Sequence, residues 1–158
     1  MIKSKIIFIL LPLMILFASC NKDTVYKEYV EIPEKIWDRS FMPEFETEIK
    51  DTSQYYNINI HVRNAGIYPF ANVWLFIHKT SPTGKTDIDT LECVLANESG
   101  EWLGDGMGDI WDNEIPWIKN YKFDKKGNYS WKIEQAMRLE KLPGIMDIGM
   151  SIKVPENQ

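Results

Sequence analysis

Tyr56-Asn57-Ile58-Asn59-Ile60-His61-Val62-Arg63 switches between apolar and polar at every step. A period of two belongs to a strand with one face buried and the other wet; an amphipathic helix would repeat every 3.6 residues. The same period extends outward from this stretch. Upstream, Phe45, Thr47 and Ile49 alternate with Glu46, Glu48 and Lys50. Downstream, Val73, Leu75 and Ile77 alternate with Trp74, Phe76 and His78, and the pattern returns at Tyr129, Trp131 and Ile133 and at Ile148, Met150 and Ile152. Turn-forming clusters separate these runs at Asn64-Ala65-Gly66, Ser81-Pro82-Thr83-Gly84, Asn97–Gly100, Lys126-Gly127-Asn128 and Pro143-Gly144. The pattern predicts an all-β chain, an antiparallel β-sandwich that is immunoglobulin-like or related. Only Glu134–Leu142 leaves room for a couple of helical turns.

One hairpin register can be tried. If residues 55–63 pair with 72–80, Val62 faces Val73, Ile60 faces Leu75 and Ile58 faces Ile77, so that inward residues meet inward residues. His61 then lies opposite Trp74 and Asn57 opposite His78, with the two histidines about 13 Å apart along the strands, too far to share a metal. On the outer face of the second strand, Trp74 and Phe76 call for cover, from the rest of the chain in preference to a partner.

The 158 residues suffice for one domain with a real core. A formal charge of −5 lacks the basic footprint that nucleic-acid binding requires. With 44% hydrophobic and 26% charged residues, the chain is not a disordered one. Two cysteines supply neither a disulfide framework nor a four-thiolate zinc site.

The first twenty residues read as an address. Lys3 and Lys5 precede an uncharged run from Ile6 to Phe17, then Ala18-Ser19-Cys20. As a helix that run would rise about 18 Å, short of the roughly 30 Å hydrocarbon core, so it fits a signal peptide and not a permanent span. Small residues directly before a cysteine match a bacterial lipobox, which makes Cys20 the expected lipidation site. Its palmitate-type acyl chains would anchor the chain, at about 0.8 kcal/mol per buried CH₂. The expected organisation is a signal peptide over 1–19, a lipidated tether over 20–36 and one β-sandwich domain over 37–158. Residues 20–158 carry 16 basic and 23 acidic side chains, a net of −7. Cys93 then has no thiol partner, and its parity with Leu91 and Leu95 predicts a buried thiol.

Candidate chemistry is sparse. Gly104-Asp105-Gly106-Met107-Gly108-Asp109 lacks the following helix and the Gly-Lys-Ser/Thr of a phosphate loop, and it reads as a turn needing positive φ at several glycines. Asp105, Asp109, Asp112 and Glu114 are weak calcium candidates whose spacing fits no EF-hand; solvated turn carboxylates are the plainer reading. Trp102, Trp111 and Trp117 flank the glycine stretch and are candidates for a partner surface, or for stacking on sugar rings. Neither a nucleophile elbow nor a His-x-x-x-His motif is present, so no cofactor and no catalysis is expected. A hydrolase would need a clustered acid pair in a deep cleft.

The blocks Tyr56–Arg63, Tyr68-Pro69-Phe70-Ala71-Asn72-Val73-Trp74-Leu75-Phe76-Ile77 and Asp89–Ala96 come in order along the chain. They are followed by Gly100–Ile110, Gly127-Asn128-Tyr129-Ser130-Trp131, Glu134–Arg138 and Leu142–Gly149. In this order and spacing, over roughly residues 20–154, the chain resembles the GldH family, gliding-motility lipoproteins of the Bacteroidota. The resemblance implies a lipid-anchored protein of the cell envelope, with the outer membrane favoured, whose partners are the membrane and other envelope or gliding-machinery proteins. It further implies an accessory role in gliding linked to type IX secretion, and it carries over no catalytic residue. Asn21-Lys22-Asp23 only partly matches the acidic surface-export signal of such bacteria. The alternative is a surface glycan-binding lipoprotein that uses Trp102, Trp111 and Trp117.

Overall fold

A computed structural model describes residues 23–155. The expected signal peptide and Cys20 lie outside them. The described chain runs β1 (Thr24–Glu31), a tight turn at Pro33–Lys35, β2 (Ile36–Asp38), β3 (Glu44–Ile49), β4 (Tyr56–Ala65), β5 (Asn72–Thr80) and β6 (Thr86–Val94). It continues through β7 (Asp105–Met107), β8 (Ile110–Tyr121), β9 (Gly127–Gln135), β10 (Lys141–Pro143) and β11 (Ile145–Lys153). One sheet has the order β1-β11-β4-β8-β7, a second the order β3-β9-β5-β6, and β10 pairs with β2. All of these pairings are antiparallel. The protein is an antiparallel β-sandwich, as its alternation predicts.

The buried core comes from the inward residues that the alternation marks. Ile58, Ile60, Val62, Ile148, Met150 and Ile152 on one sheet meet Phe45, Val73, Leu75, Ile77, Trp131 and Ile133 on the other. Burial pushes the Cys93 thiol up to about 12, so it stays protonated inside the core.

Three expectations are corrected. First, β4 and β5 are not a hairpin: β4 pairs with β11 and β8, whereas β5 pairs with β6 and β9. Inward residues also meet inward residues when two strands face each other across a core, so alternation could not separate the two arrangements. The link 66–71 crosses between the sheets, and its Tyr68 is buried with its hydroxyl donating to the Asn72 carbonyl at 2.8 Å. Second, the tether expected over 20–36 does not extend past Thr24. Thr24–Glu31 is an edge strand in register with β11, and Ile32 is fully buried. An edge strand is shielded on one side only, which blurs its alternation. Third, Glu134–Leu142 holds no helix; β9 runs through Gln135, and β10 begins at Lys141.

Strand β8 escaped the alternation because Pro116 interrupts it and its register against β4 shifts between Ile58 and Asn59.

Candidate functional site

Strand register assembles a polar array on the outer face of the five-stranded sheet. Tyr29, Gly149, His61 and Glu114 form one row across β1, β11, β4 and β8. Lys27, Ser151, Asn59 and Pro116 form the row on one side of it; Glu31, Asp147, Arg63, Asp112 and Asp105 form the row on the other. His61 is 1% exposed although it faces outward, because the Tyr29 ring lies over it at 5.3 Å between centroids. Gly149 makes room for that ring: a Cβ there would come within 2.7 Å of Tyr29 Cδ1. Burial, with Lys27 nearby, pulls the imidazole down to about 4, so His61 is neutral at physiological pH.

His61 Nε2 lies 2.8 Å from Ser151 Oγ, and its Nδ1 lies 3.2 Å from the Tyr29 hydroxyl. A serine bonded to a neutral histidine is the opening pair of a nucleophilic site. Here, however, Ser151 is fully buried, and no substrate carbonyl can reach its Oγ. Arg63 binds Asp112 at 3.0 Å and Asp147 at 3.1 Å while its guanidinium sits 4.8 Å from the centre of the Tyr29 ring. Lys153 pairs with Glu114, which also accepts from Asn59 at 2.8 Å. Burial pushes the Glu114 carboxyl up, but the Lys153 ammonium outweighs it and holds the group below its usual range.

The calcium candidates are dispersed by this arrangement. Asp112 and Glu114 are held by Arg63 and Lys153, Asp105 sits on β7, and Asp109 lies in the turn beside Gly66. Among the described residues no group of three or more His, Cys, Asp or Glu is placed to hold a metal. The glycine stretch is the β7–β8 hairpin, and only Gly108 of its three glycines has a positive φ, 65°. Gly104 and Gly106 are instead close-approach positions, packed against Asn113 and the Trp111 indole.

The structure brings two of the three tryptophan candidates together and leaves the third apart. Trp102 and Trp111 lie 5.5 Å apart and continue through Tyr68 to Phe70, half-buried over one end of the core. Trp117 belongs to the seam between the sheets, where its indole donates to Asp89 at 2.8 Å. The three rings therefore share no platform.

The outer face of the four-stranded sheet differs from the polar array. Trp74 and Phe76 are 40% and 37% exposed, and Ile88, one strand over, is 63% exposed; the described chain does not close over them. The intramolecular cover expected for this face is therefore missing among the described residues. Carboxylates rim the strip. Glu92 stands across from Trp74, Glu134 across from Phe76, and Glu44 across from Lys132, the neighbour of His78. His78 Nε2 lies 3.2 Å from Glu134, on the opposite side of the sandwich from His61.

Sequence reasoning missed Tyr29, Arg63, Asp147 and Ser151 as a group. The available signal was the polar parity of Asn59-His61-Arg63 and of Asp147-Gly149-Ser151, which shows its meaning only once β4 and β11 are known to be neighbours.

The family model described as GldH lipoprotein matches residues 24–152. A protein named gliding motility lipoprotein GldH homolog, from Christiangramia forsetii, is 37% identical over 158 residues, spanning 96% of each chain. The gliding motility lipoprotein GldH of Flavobacterium johnsoniae is 34% identical over 152 residues, covering 92% of this chain and 94% of that one. Two solved structures resemble it only slightly. The VP2 subviral particle of infectious bursal disease virus aligns at a TM-score of 0.34 and 13% identity, over 84% of this chain and 32% of the viral one. TmCBM61 in complex with β-1,4-galactotriose aligns at 0.30 and 9% identity, over 85% and 91%. Likeness this slight carries nothing about ligands.

Proposed function

The chain belongs to the GldH lipoprotein family, and from that premise we propose that it is a non-catalytic docking component of the gliding machinery, lipid-anchored through Cys20. Residues 1–19 serve as the signal peptide, and the anchor holds the sandwich to an envelope membrane, the outer membrane in preference. The observation that carries the docking role is the strip of Trp74, Phe76 and Ile88, large apolar side chains left in solvent on a regular sheet. Contiguous exposed aromatics of this kind anchor protein contacts. The burial of Ser151 supports the non-catalytic part, since the serine–histidine pair is closed to substrate. In these bacteria such a component acts together with type IX secretion.

A deletion strain complemented with variants tests this reading. Loss of the gene is expected to abolish spreading, and Cys20→Ser is expected to leave the membrane fraction and lose palmitate labelling. A Trp74→Ser, Phe76→Ser chain is expected to accumulate in the membrane without restoring spreading. A deletion strain that spreads and secretes like its parent refutes the functional half, and substrate turnover by the purified protein refutes the non-catalytic half.

A further inference from the structure

The sandwich has two ends, and register fixes which links share one. In the first sheet Thr24 pairs with Lys153, Lys153 with Asn57, and Tyr56 with Tyr121. In the second, Ile49 pairs with Gly127, and Thr80 pairs with both Ser130 and Thr86. The links 50–55 and 122–126 join these two sets of strand ends. Lys79 donates to the Tyr121 hydroxyl at 3.0 Å, and Val25 shares a surface depression with Glu48, Lys50, Asp51, Gln54 and Tyr56. The start of β1 therefore emerges at the same end as the links 50–55, 81–85 and 122–126.

Those three links carry Lys50, Lys85, Lys122, Lys125 and Lys126 against Asp51 and Asp124, in a chain whose acids outnumber its bases by five. All five lysines are exposed; the flanking strand ends add exposed Lys119 and the carboxylates Asp23, Glu48 and Asp87. Lys50 lies 3.6 Å from Glu48 and Lys85 3.0 Å from Asp87, so that Lys119, Lys122, Lys125 and Lys126 have no ion-pair partner among the described residues. Asp51 is occupied locally, accepting from the Ser53 amide at 2.8 Å and its hydroxyl at 2.7 Å. At the other end the balance reverses. The links 66–71, 95–104, 108–109 and 136–144 carry Glu98, Glu101, Asp109 and Glu140 against Arg138 and Lys141, and 32–43 is balanced.

We infer that the lysine-bearing end is an interaction surface for anionic phospholipid headgroups, seating the sandwich end-on upon the membrane that holds its anchor. This rests on the reading of Cys20 as the lipidated residue. Three residues lie between Cys20 and Thr24, so the four backbone steps reach at most about 14 Å. A lipid there holds this end, and not the opposite one, near the bilayer. Lysines within a Debye length, about 8–10 Å, respond to an anionic surface, each strengthening association about fivefold. The β7–β8 hairpin, with Met107 82% exposed, then points away from the membrane. Strand β4, at about 3.3 Å per residue over its ten residues, sets the distance between the ends at about 30 Å.

The full-length lipidated protein, reconstituted into phosphatidylcholine vesicles with or without phosphatidylglycerol, tests this. A fluorophore is placed at Thr83→Cys, on the lysine end, or at Ser99→Cys, on the opposite end, and a headgroup-attached quencher reports proximity. Quenching at position 83 is expected to exceed that at 99 several-fold on phosphatidylglycerol vesicles. It is expected to fall back to the level on neutral vesicles at high salt, or when Lys122→Glu, Lys125→Glu and Lys126→Glu are combined. Equal quenching at the two positions, or a difference insensitive to phosphatidylglycerol, salt and charge reversal, overturns the inference. Flotation with neutral vesicles separates the two readings. A chain that floats but shows no charge-dependent orientation overturns this inference alone; one that does not float overturns the lipid anchor and this inference together.

Discussion

On the five-stranded side, Tyr29 lies over His61 and Arg63 bridges two carboxylates; on the four-stranded side, Trp74 and Phe76 stand in solvent with glutamates around them. Both faces belong to the same sandwich, and both are the outward half of an alternating pattern. The difference lies in the neighbours. The edge strand β1 lends Tyr29 to the first face, and Gly149 gives the ring a floor to rest on. No described residue plays that part for Trp74. The first face spends its polar groups on one another, while the second leaves large apolar side chains exposed among the described residues.

The sharpest way to break this comparison is Gly149→Val. The new side chain meets the Tyr29 ring and the Glu28 carbonyl at 3.0 Å or less, and it is expected to cost about 2–3 kcal/mol in urea unfolding. A parent-like midpoint would mean that Tyr29 does not seal this face. The next effect is one of pH. His61 titrates near 4 when folded and near 6.5 when unfolded, so the unfolded chain takes up the proton first. Stability is then full above about pH 6.5 and is lost as pH falls toward 4, by about 2 kcal/mol between pH 7 and pH 5. His61→Gln should flatten that window, and a parent whose stability is already flat there would contradict the burial of His61.

Arg63→Ala leaves Asp112 and Asp147 facing each other without a cation. Because these groups are partly solvated, the expected loss is about 1–2 kcal/mol, read from the same unfolding curves. The smallest effect on stability belongs to the other face. Trp74→Ser and Phe76→Ser are each expected to cost about 1 kcal/mol, since more than a third of each residue is already in water. Their consequence should be lost docking in cells with the fold intact. A large destabilisation instead would turn the strip into a structural feature and remove the contrast between the faces.

Much of the core was legible residue by residue. The inward set Ile58, Ile60, Val62, Val73, Leu75, Ile77, Tyr129, Trp131, Ile133, Ile148, Met150 and Ile152 is buried as its parity predicts, and so is Cys93. Strands β1 and β8 were not legible. The first is an edge strand without clean alternation, and the second is broken by Pro116. Of the candidate site residues, Asp112 and Glu114 proved to be ion-pair partners on the polar face, and Trp102 and Trp111 parts of an aromatic cap. Their partners Arg63, Lys153 and Tyr68 lie far away in sequence, and no local spacing could announce them.

By itself the sequence determined which side chains leave water, because the apolar surface of Ile60 or Leu75 favours burial whichever strand lies alongside. Lateral neighbours were decided only by the tertiary structure. A strand with one apolar face is equally satisfied beside a partner or across the core from it, and link length and sheet twist make the choice. That choice put Ser151 and Tyr29 against His61, left Trp74 uncovered, and gathered the lysines at the end from which β1 begins.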